Sequence, residues 1–401
     1  MVATLATFCS GPGQSFVFSV FVDPILADTG LSRVYLSTLY AFGTGVSAVM
    51  VVVVARLVDR FGARLMLAGI ALALGIACFG MSAAAGPVVL FFGFAAMRAL
   101  GQGSLPVTAN ILTAQWFVER RGRAMAVVVL GLAASNALLP PVTQSLIGAF
   151  DWRTAYMILG VMVWVLLIPA SILVVRNRPE AVGLHPDGSP ELVREPGDQD
   201  ERERGSWEAV SSLNFWLLAV PLAAIPFAVT ALVFHQISIL GEQGLSAAAA
   251  ARVFVPFAAA SAAATAFSGF LIERLGPRTP LYVSMALLLA AMLGLQLVTS
   301  TLTATLYAIA LGAGAGFQGV VAGVVWAHYY GRRGLGKVQG PATMVMISAA
   351  ALAPLPLAAL RSLSGDYGLG LAVMACVPVL CTVMLYLFDP KKARREVEAA
   401  G

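Results

Sequence analysis

Long apolar runs separated by short polar turns dominate the chain. Twelve such runs can be drawn, and each has at least the roughly 20 residues that an α-helix needs to cross the hydrocarbon core of a bilayer. Six runs precede and six follow one polar interval, which is rich in charged residues, proline and glycine and has no apolar periodicity. The runs lie near residues 3–25, 32–57, 64–83, 87–115, 122–149, 153–175, 209–240, 246–273, 279–299, 303–330, 338–362 and 367–388.

This pattern predicts an all-α membrane protein with twelve transmembrane helices in two six-helix halves. The N-terminal half covers residues 1–175 and the C-terminal half residues 209–390. Residues 176–208 are predicted to form a cytoplasmic linker, and residues 391–401 a basic cytoplasmic tail. The first run has no basic segment before it and contains a Gly-Pro-Gly sequence, so a cleaved signal peptide is the less favoured interpretation. The chain begins almost inside that run, which leaves open an N-terminal tail absent from this sequence.

The composition agrees with a lipid environment and argues against several function classes. Hydrophobic residues make up 59% and charged residues 11% of the chain, against about 45–50% and about 25% in soluble domains. The net charge of +5 does not indicate nucleic-acid binding, because the basic residues lie between apolar runs and form no continuous basic surface. The sequence contains no Walker A loop, no Gly-x-Ser-x-Gly elbow and no metal-spaced His or Cys cluster. It therefore predicts no enzyme, no cofactor and no metal site. Cys9, Cys78, Cys376 and Cys381 are expected to be buried small hydrophobes.

The distribution of Lys and Arg predicts the orientation, because cytoplasmic loops carry the excess of these residues. All Lys and Arg lie in the even-numbered turns, the central interval or the tail, except Arg33, Arg98, Arg153, Arg252 and Arg361. Both termini are therefore predicted to be cytoplasmic, as an even number of spans requires. The expected location is the plasma or inner membrane.

A charged motif recurs in the two halves at the same relative spacing. The turn after the second run reads LVDRFGARL (57–65), and the turn after the eighth reads LIERLGPRT (271–279). Glycine is expected where so short a turn bends the backbone, and the arginines are expected to meet lipid phosphates or helix carbonyl groups, with a plain topological anchor as the alternative. Acids contribute little to orientation, so the acid of the motif predicts a specific partner. The matching positions are Asp59 and Glu273, Arg60 and Arg274, Gly62 and Gly276, and Arg64 and Arg278.

Further segments complete this set of motifs. FVERRG (117–122) matches YYGRRG (329–334) at nearly the same offset, and RALGQG (98–103) and DWRTAY (151–156) lie in the fourth run and before the sixth. With ARLVDRFGARLML (55–67) and GFLIERLGPR (269–278), the chain resembles the major facilitator superfamily over its whole length. The loop motif of that family is G-x-L-x-D-R-x-G-x-R, and in this chain Ala55 stands at the position of the first glycine. GPGQSF (11–16) and the W-F-x-x-R-R-G turn are similar to the bacterial monocarboxylate and oxalate–formate exchangers.

The resemblance implies a transporter whose two halves rock around a midplane site, with helices 1, 4, 7 and 10 lining the cavity. It also implies that Asp59, with Arg60 and Arg64, links the second helix to the cytoplasmic end of the eleventh, near residues 336–340. That link would hold the outward-open state closed on the inside.

Polar groups at mid-membrane depth are the candidates for substrate contact or coupling, since such groups are costly in lipid. Arg98 lies well inside the fourth run. Inserting an arginine at the centre of a membrane helix costs about 2.5–3.5 kcal/mol, so we expect its side chain to face a cavity or a partner. The alternatives are an anion or proton-coupling contact and an arginine satisfied by backbone carbonyls. His235 is either a protonatable group or a hydrogen-bonded packing histidine. The candidates are Gln14, Tyr40, Arg98, Gln102, Asn136, His235 and Gln318.

The predicted function is secondary active transport of a small organic solute by alternating access. No acid lies at mid-membrane depth, and Asp23 comes nearest, which argues against a carboxylate proton relay. The eighth and eleventh runs carry no cation at mid-depth, which argues against a dianionic substrate. A monocarboxylate or a neutral polar solute fits better. The alternatives are an efflux antiporter for a neutral or amphipathic compound and a transport-fold sensor that binds a ligand without translocating it.

The expected partners are a small-molecule substrate, membrane lipid and, for coupling, a proton or a counter-substrate. Nucleic acid is not expected as a partner, and the chain is expected to act as a monomer.

Overall fold

The structure, a computed structural model, describes residues 1–117, 121–184, 211–330 and 335–390 of the 401-residue chain. The described residues form helices and no strands. In chain order the α-helices are α1 (Val2–Cys9), α2 (Ser15–Thr29), α3 (Arg33–Phe61), α4 (Ala63–Ser82), α5 (Pro87–Met97), α6 (Leu105–Trp116), α7 (Arg121–Ala149), α8 (Trp152–Leu173), α9 (Leu213–Glu242), α10 (Ala247–Arg252), α11 (Phe254–Leu275), α12 (Arg278–Gln296), α13 (Thr301–Tyr330), α14 (Leu335–Leu352), α15 (Pro354–Ser364) and α16 (Gly368–Leu387).

These helices form the predicted twelve membrane spans. Eleven segments of the described residues are long and apolar enough to cross a membrane, and α3, a helix of 29 residues, provides the remaining one. Four spans consist of two consecutive helices, namely α1 with α2, α5 with α6, α10 with α11 and α14 with α15. The sequence pattern predicted the twelve spans but did not identify which of them consist of two helices.

The chain divides into two compact units, Met1–Gly197 and Asp198–Gly401. The first contains α1 to α8 and the second contains α9 to α16, so each holds six spans. The division falls within the predicted linker, of which residues 185–208 lie outside the described part of the chain, as does the predicted tail at 391–401.

Small residues allow close helix packing within each unit, as is common in membrane proteins. In the first unit, Gly75 on α4 accommodates the indole of Trp164 on α8, whose Nε1 donates a hydrogen bond to the carbonyl oxygen of Leu72 at 3.0 Å. In the second unit, Gly312 and Gly316 on α13 bring that helix against the backbone of α11. The long apolar helices thus dock on one another through positions without bulky side chains.

The cysteine prediction is wrong at one position. Cys9, Cys78 and Cys381 are buried and free, whereas Cys376 is free but exposed. Cys376 lies on the exposed side of α16. A small apolar side chain is compatible with contact to lipid at this position.

Candidate functional site

The first and fourth spans both lose regular α-helical geometry where they meet. In the first span, α1 ends at Cys9, a 3₁₀ turn covers Gly11–Gly13, and α2 begins at Ser15. Pro12 contributes to this break because proline lacks the backbone N–H of a helical residue. In the fourth span, Arg98–Ser104 form a π-helical segment between α5 and α6. Such segments are rare and occur frequently at functional sites.

Two glycines bring these irregular segments into backbone contact. A Cβ on Gly101 would lie 2.8 Å from the Cα of Gly13 and 2.9 Å from the carbonyl oxygen of Ser10. A Cβ on Gly13 would overlap the carbonyl oxygen of Met97. Carbon atoms normally approach to about 3.5–4.0 Å, so neither position has room for a side chain.

This contact places the guanidinium of Arg98 beside the break in the first span. The Arg98 side chain is only 3% exposed. Its Nη1 donates hydrogen bonds to the carbonyl oxygen of Gly13 at 3.1 Å and to the hydroxyl of Ser15 at 3.4 Å. Its Nε donates to the hydroxyl of Thr44 at 3.0 Å. The guanidinium carbon also lies 4.6 Å from the ring centroid of Tyr40, within the range of a cation–π interaction.

None of the contacts that the described residues make to Arg98 involves an acid. The group comprising Gly13, Ser15, Tyr40, Thr44 and Arg98 is called the Arg98 cluster below. Its oxygen atoms are neutral acceptors, and the hydroxyl groups of Tyr40 and Ser15 are hydrogen-bonded to each other at 2.6 Å. The small cavity beside the cluster has room for about one water molecule. The cluster therefore solvates a positive charge without neutralising it.

Three predicted amide residues belong to the first unit and lie on segments that surround the break in the first span. Gln14 is buried and donates from Nε2 to the hydroxyl of Ser10 at 3.2 Å. Gln102 follows Gly101 in the π-helical segment, and Asn136 lies on α7 next to Ser135, whose hydroxyl is close to Gly11. The side-chain oxygens of Gln102, Ser135 and Asn136 are buried without a hydrogen-bond partner among the described residues.

In the second unit, the predicted candidate His235 belongs to a polar network. Its ring is fully buried, with Nε2 at 3.0 Å from the carbonyl oxygen of Pro354 and Nδ1 at 3.1 Å from the hydroxyl of Tyr367. A carbonyl oxygen can only accept, so Nε2 carries the proton, and in the neutral ring Nδ1 accepts from Tyr367. The backbone N–H of Tyr367 in turn donates to Glu242, which forms an ion pair with Arg361 at 2.7 Å.

Gln318 is the remaining predicted candidate of this unit. It is buried on α13, and its Nε2 donates to the carbonyl oxygen of Leu222 on α9 at 3.1 Å.

The duplicated loop motif has matching geometry in the two units. Gly62 and Gly276 adopt left-handed φ values of 81° and 77°, a region that favours glycine. The Nη2 of Arg64 donates to the carbonyl oxygen of Ile172 at the end of α8 at 2.6 Å. The Nη2 of Arg278 donates to the carbonyl oxygens of Leu385 and Phe388 at the end of α16. In each unit, the last arginine of the motif therefore binds the carbonyl end of the sixth span.

The other described charged members of the motif are exposed. Arg60 and Arg274 are exposed and lie over the rings of Phe61 and Phe270, at 5.3 Å and 4.2 Å from the centroids. Glu273 is exposed, and the side chain of Asp59 lies outside the described residues.

Sequence reasoning named Tyr40 but missed the other residues that contact Arg98 and those that contact His235. Ser15 and Thr44 are ordinary residues of apolar runs, and no local pattern marks Tyr367 as the neighbour of a histidine more than a hundred positions away. The Gly-Pro-Gly sequence and Gly101 were visible signals of the helix break, because glycine and proline within a span require compensation by neighbouring helices.

Two units of six spans with a duplicated loop motif together define a polytopic membrane protein built from two related halves. The chain belongs to the major facilitator superfamily, since the family model described as Major Facilitator Superfamily matches residues 3–354 and 257–401.

One curated relative is named an MFS-type efflux pump, from Mycolicibacterium smegmatis. It is 28% identical over 275 residues, which cover 66% of this chain and 58% of the relative. Two solved structures of a bacterial homologue of the human lysosomal transporter Spinster are also similar, one inward-facing and occupied, the other inward-facing and unoccupied. Each matches with a TM-score of 0.69 and 18% identity over 99% of this chain and 92% of the other chain, which shows the fold.

Proposed function

We propose that this chain is a secondary active transporter for a small organic monoanion, with a monocarboxylate as the substrate class. The observation that carries the proposal is the Arg98 cluster. Arg98 is buried in a membrane span, and its described partners are neutral oxygens and an aromatic ring. An uncompensated charge in such a place is costly, and a substrate anion offsets that cost when it binds.

The expected electrostatic gain is large enough to select an anion. At an effective dielectric constant of about 20, a carboxylate about 6 Å from the guanidinium gains about 3 kcal/mol. A factor of ten in affinity corresponds to about 1.4 kcal/mol, so this gain favours an anion over its neutral analogue by about a hundredfold. One arginine suits one negative charge, which favours a monoanion over a dianion.

The unpartnered side-chain oxygens of Gln102, Ser135 and Asn136 support a further restriction on the substrate. Buried polar atoms normally have a hydrogen-bond partner. A solute that carries a hydroxyl or amide N–H beside its carboxylate could donate to these groups. We therefore propose a hydroxy- or amido-substituted monocarboxylate.

Exchange against a second organic anion is the coupling mode that we propose. In the described spans, the acid nearest the membrane interior is Asp23, and it is engaged by Arg33 at 2.6 Å, so its carboxylate is poorly placed to shuttle protons. The similarity of GPGQSF to the first helix of known exchangers agrees with this mode. We further propose an inner-membrane location with both termini in the cytoplasm, which rests on the distribution of Lys and Arg.

Counterflow in liposomes tests the proposal. Purified protein would be reconstituted with an internal excess of one solute, and uptake of the labelled solute would be followed for a panel of monocarboxylates, dicarboxylates, amino acids and sugars. We expect accumulation of monocarboxylates and loss of that accumulation in Arg98→Gln. Arg252→Gln removes an exposed arginine and serves as the matched control. Accumulation of neutral solutes alone, or full activity of Arg98→Gln, would overturn the proposal.

Efflux of an amphipathic compound is a second candidate, favoured by the similarity to the mycobacterial relative, which is named an efflux pump. Dye efflux from the same liposomes separates the two candidates. Efflux that persists in Arg98→Gln, without any monocarboxylate counterflow in the unsubstituted protein, would favour the efflux pump.

A further inference from the structure

A second cavity lies in the N-terminal unit, away from the Arg98 cluster. Its volume is about 520 Å³, within the range of roughly 300–1,000 Å³ that is typical of ligand pockets. The cavity is bounded by the first residues of α1, the end of α6, the start of α7 and the residues that follow α8. These helix ends belong to the side of the membrane that the basic turns assign to the cytoplasm.

The lining of this cavity combines apolar walls with a basic rim. Leu112, Val127 and Val174 are among its wall residues, while Arg123 and Arg176 also line it and are exposed. Among the described residues that line it, none has an acidic side chain. The cavity therefore matches an amphiphile that has an apolar tail and an anionic head.

A tryptophan at the rim connects two of the helix ends that form the cavity. Trp116 lines the cavity, and its Nε1 donates to the backbone carbonyl oxygen of Arg176 at 3.0 Å. Nη1 of Arg176 donates to the carbonyl oxygens of Leu173 and Val175, at 3.3 and 3.1 Å. Tryptophan is enriched at the level of lipid headgroups, and the hydrogen bond ties α6 to the segment after α8. The rim therefore combines a hydrogen-bonded tryptophan with two arginines, as is typical of a site at the level of lipid headgroups.

We propose that this cavity binds one anionic phospholipid of the cytoplasmic leaflet. One of its two acyl chains lies against the valine and leucine walls, and its phosphate group lies at the rim beside Arg123 and Arg176. Guanidinium groups form paired, charge-assisted hydrogen bonds with phosphate oxygens. Free phosphate would leave the apolar walls uncovered, and a zwitterionic lipid brings no net charge to the two arginines. This site is independent of the transported substrate.

Native mass spectrometry of the full chain in detergent tests the site. Phosphatidylglycerol or phosphatidylcholine would be titrated into delipidated protein, and the bound lipids would be counted. We expect one tightly bound phosphatidylglycerol and weaker phosphatidylcholine binding. Each basic residue near a membrane surface contributes about fivefold in affinity for anionic lipid, so Arg123→Gln with Arg176→Gln should weaken the tight binding by about 25-fold.

Two matched controls separate this site from general lipid adhesion. Val127→Phe fills the cavity, whereas Val129→Phe places the same side chain at an exposed position of α7 that does not line it. Arg178→Gln removes a charge from the same exposed segment outside the lining. We expect Val127→Phe to abolish tight binding, and Val129→Phe and Arg178→Gln to retain it. Equal binding by Val127→Phe and Val129→Phe, equal affinity for the two lipids, or competition by inorganic phosphate at millimolar concentration would overturn the proposal.

Discussion

The backbone contact between the first and fourth spans makes Gly101 a sharp test of the structure. Gly101→Ala adds one methyl group, whose carbon would lie 2.8 Å from the Cα of Gly13 and 2.9 Å from its backbone nitrogen. Normal contact is about 3.5–4.0 Å, so the two spans must separate by roughly 1 Å. The obstructing atoms belong to the backbone, and no rotamer change can relieve the overlap.

The magnitude follows from two opposing terms. Overpacking of a tight interior costs about 1–3 kcal/mol, while replacing glycine by alanine within a helical segment regains up to about 1 kcal/mol. The expected net loss is about 1–2 kcal/mol. For a unit of 150–250 residues, this corresponds to a fall in Tm of about 2–8 °C.

Thermal unfolding in detergent, monitored by the loss of monodisperse protein after heating, measures this effect. Gly69→Ala is the matched control, because a Cβ at that helical position has no heavy atom within 4 Å. We expect Gly69→Ala to leave Tm unchanged or to raise it. If Gly101→Ala were as stable as Gly69→Ala, the close contact between the two spans would be wrong.

The remaining predictions concern the loop motif and the histidine network. Gly62 and Gly276 have φ and ψ near (81°, 154°) and (77°, 169°), a region in which other residues cost about 1–3 kcal/mol. Gly62→Ala should lower Tm more than Gly276→Ala, because its Cβ would also displace Asn177; equal losses would contradict this. Tyr367→Phe should cost about 1–2 kcal/mol by removing the hydrogen bond to Nδ1 of His235. A double-mutant cycle with His235→Phe should show that the two losses are not additive, and additive losses would argue against the hydrogen bond.

The fold could be predicted from the sequence because lipid imposes a simple rule. Every spanning helix must be apolar over about 20 residues, so the runs, their number and their division into two halves were visible without the structure. The glycines of the loop motif were predictable for a similar reason, since a short turn between spans needs a residue that tolerates positive φ. Gly62 and Gly276 have that conformation.

The site could be predicted only in part, because contacts between distant segments leave little trace in a single sequence. Arg98 was recognised from the cost of burying its charge, and Tyr40 was among the candidates, but the groups that accept hydrogen bonds from Arg98 were not recognised. Thr44 looks like any polar residue of an apolar run, and the acceptor in Gly13 is a backbone carbonyl. The cavity beside Arg123 and Arg176 was missed because four separate helix ends form it.

A thermodynamic cycle between Arg98 and the substrate charge tests the central claim most directly. The dissociation constants of the best monocarboxylate from the counterflow panel and of its primary amide would be measured by calorimetry on the unsubstituted protein and on Arg98→Gln. The account predicts that the unsubstituted protein prefers the carboxylate by about a hundredfold, a coupling of about 3 kcal/mol, and that Arg98→Gln binds both compounds about equally. An unchanged preference for the carboxylate in Arg98→Gln would contradict it.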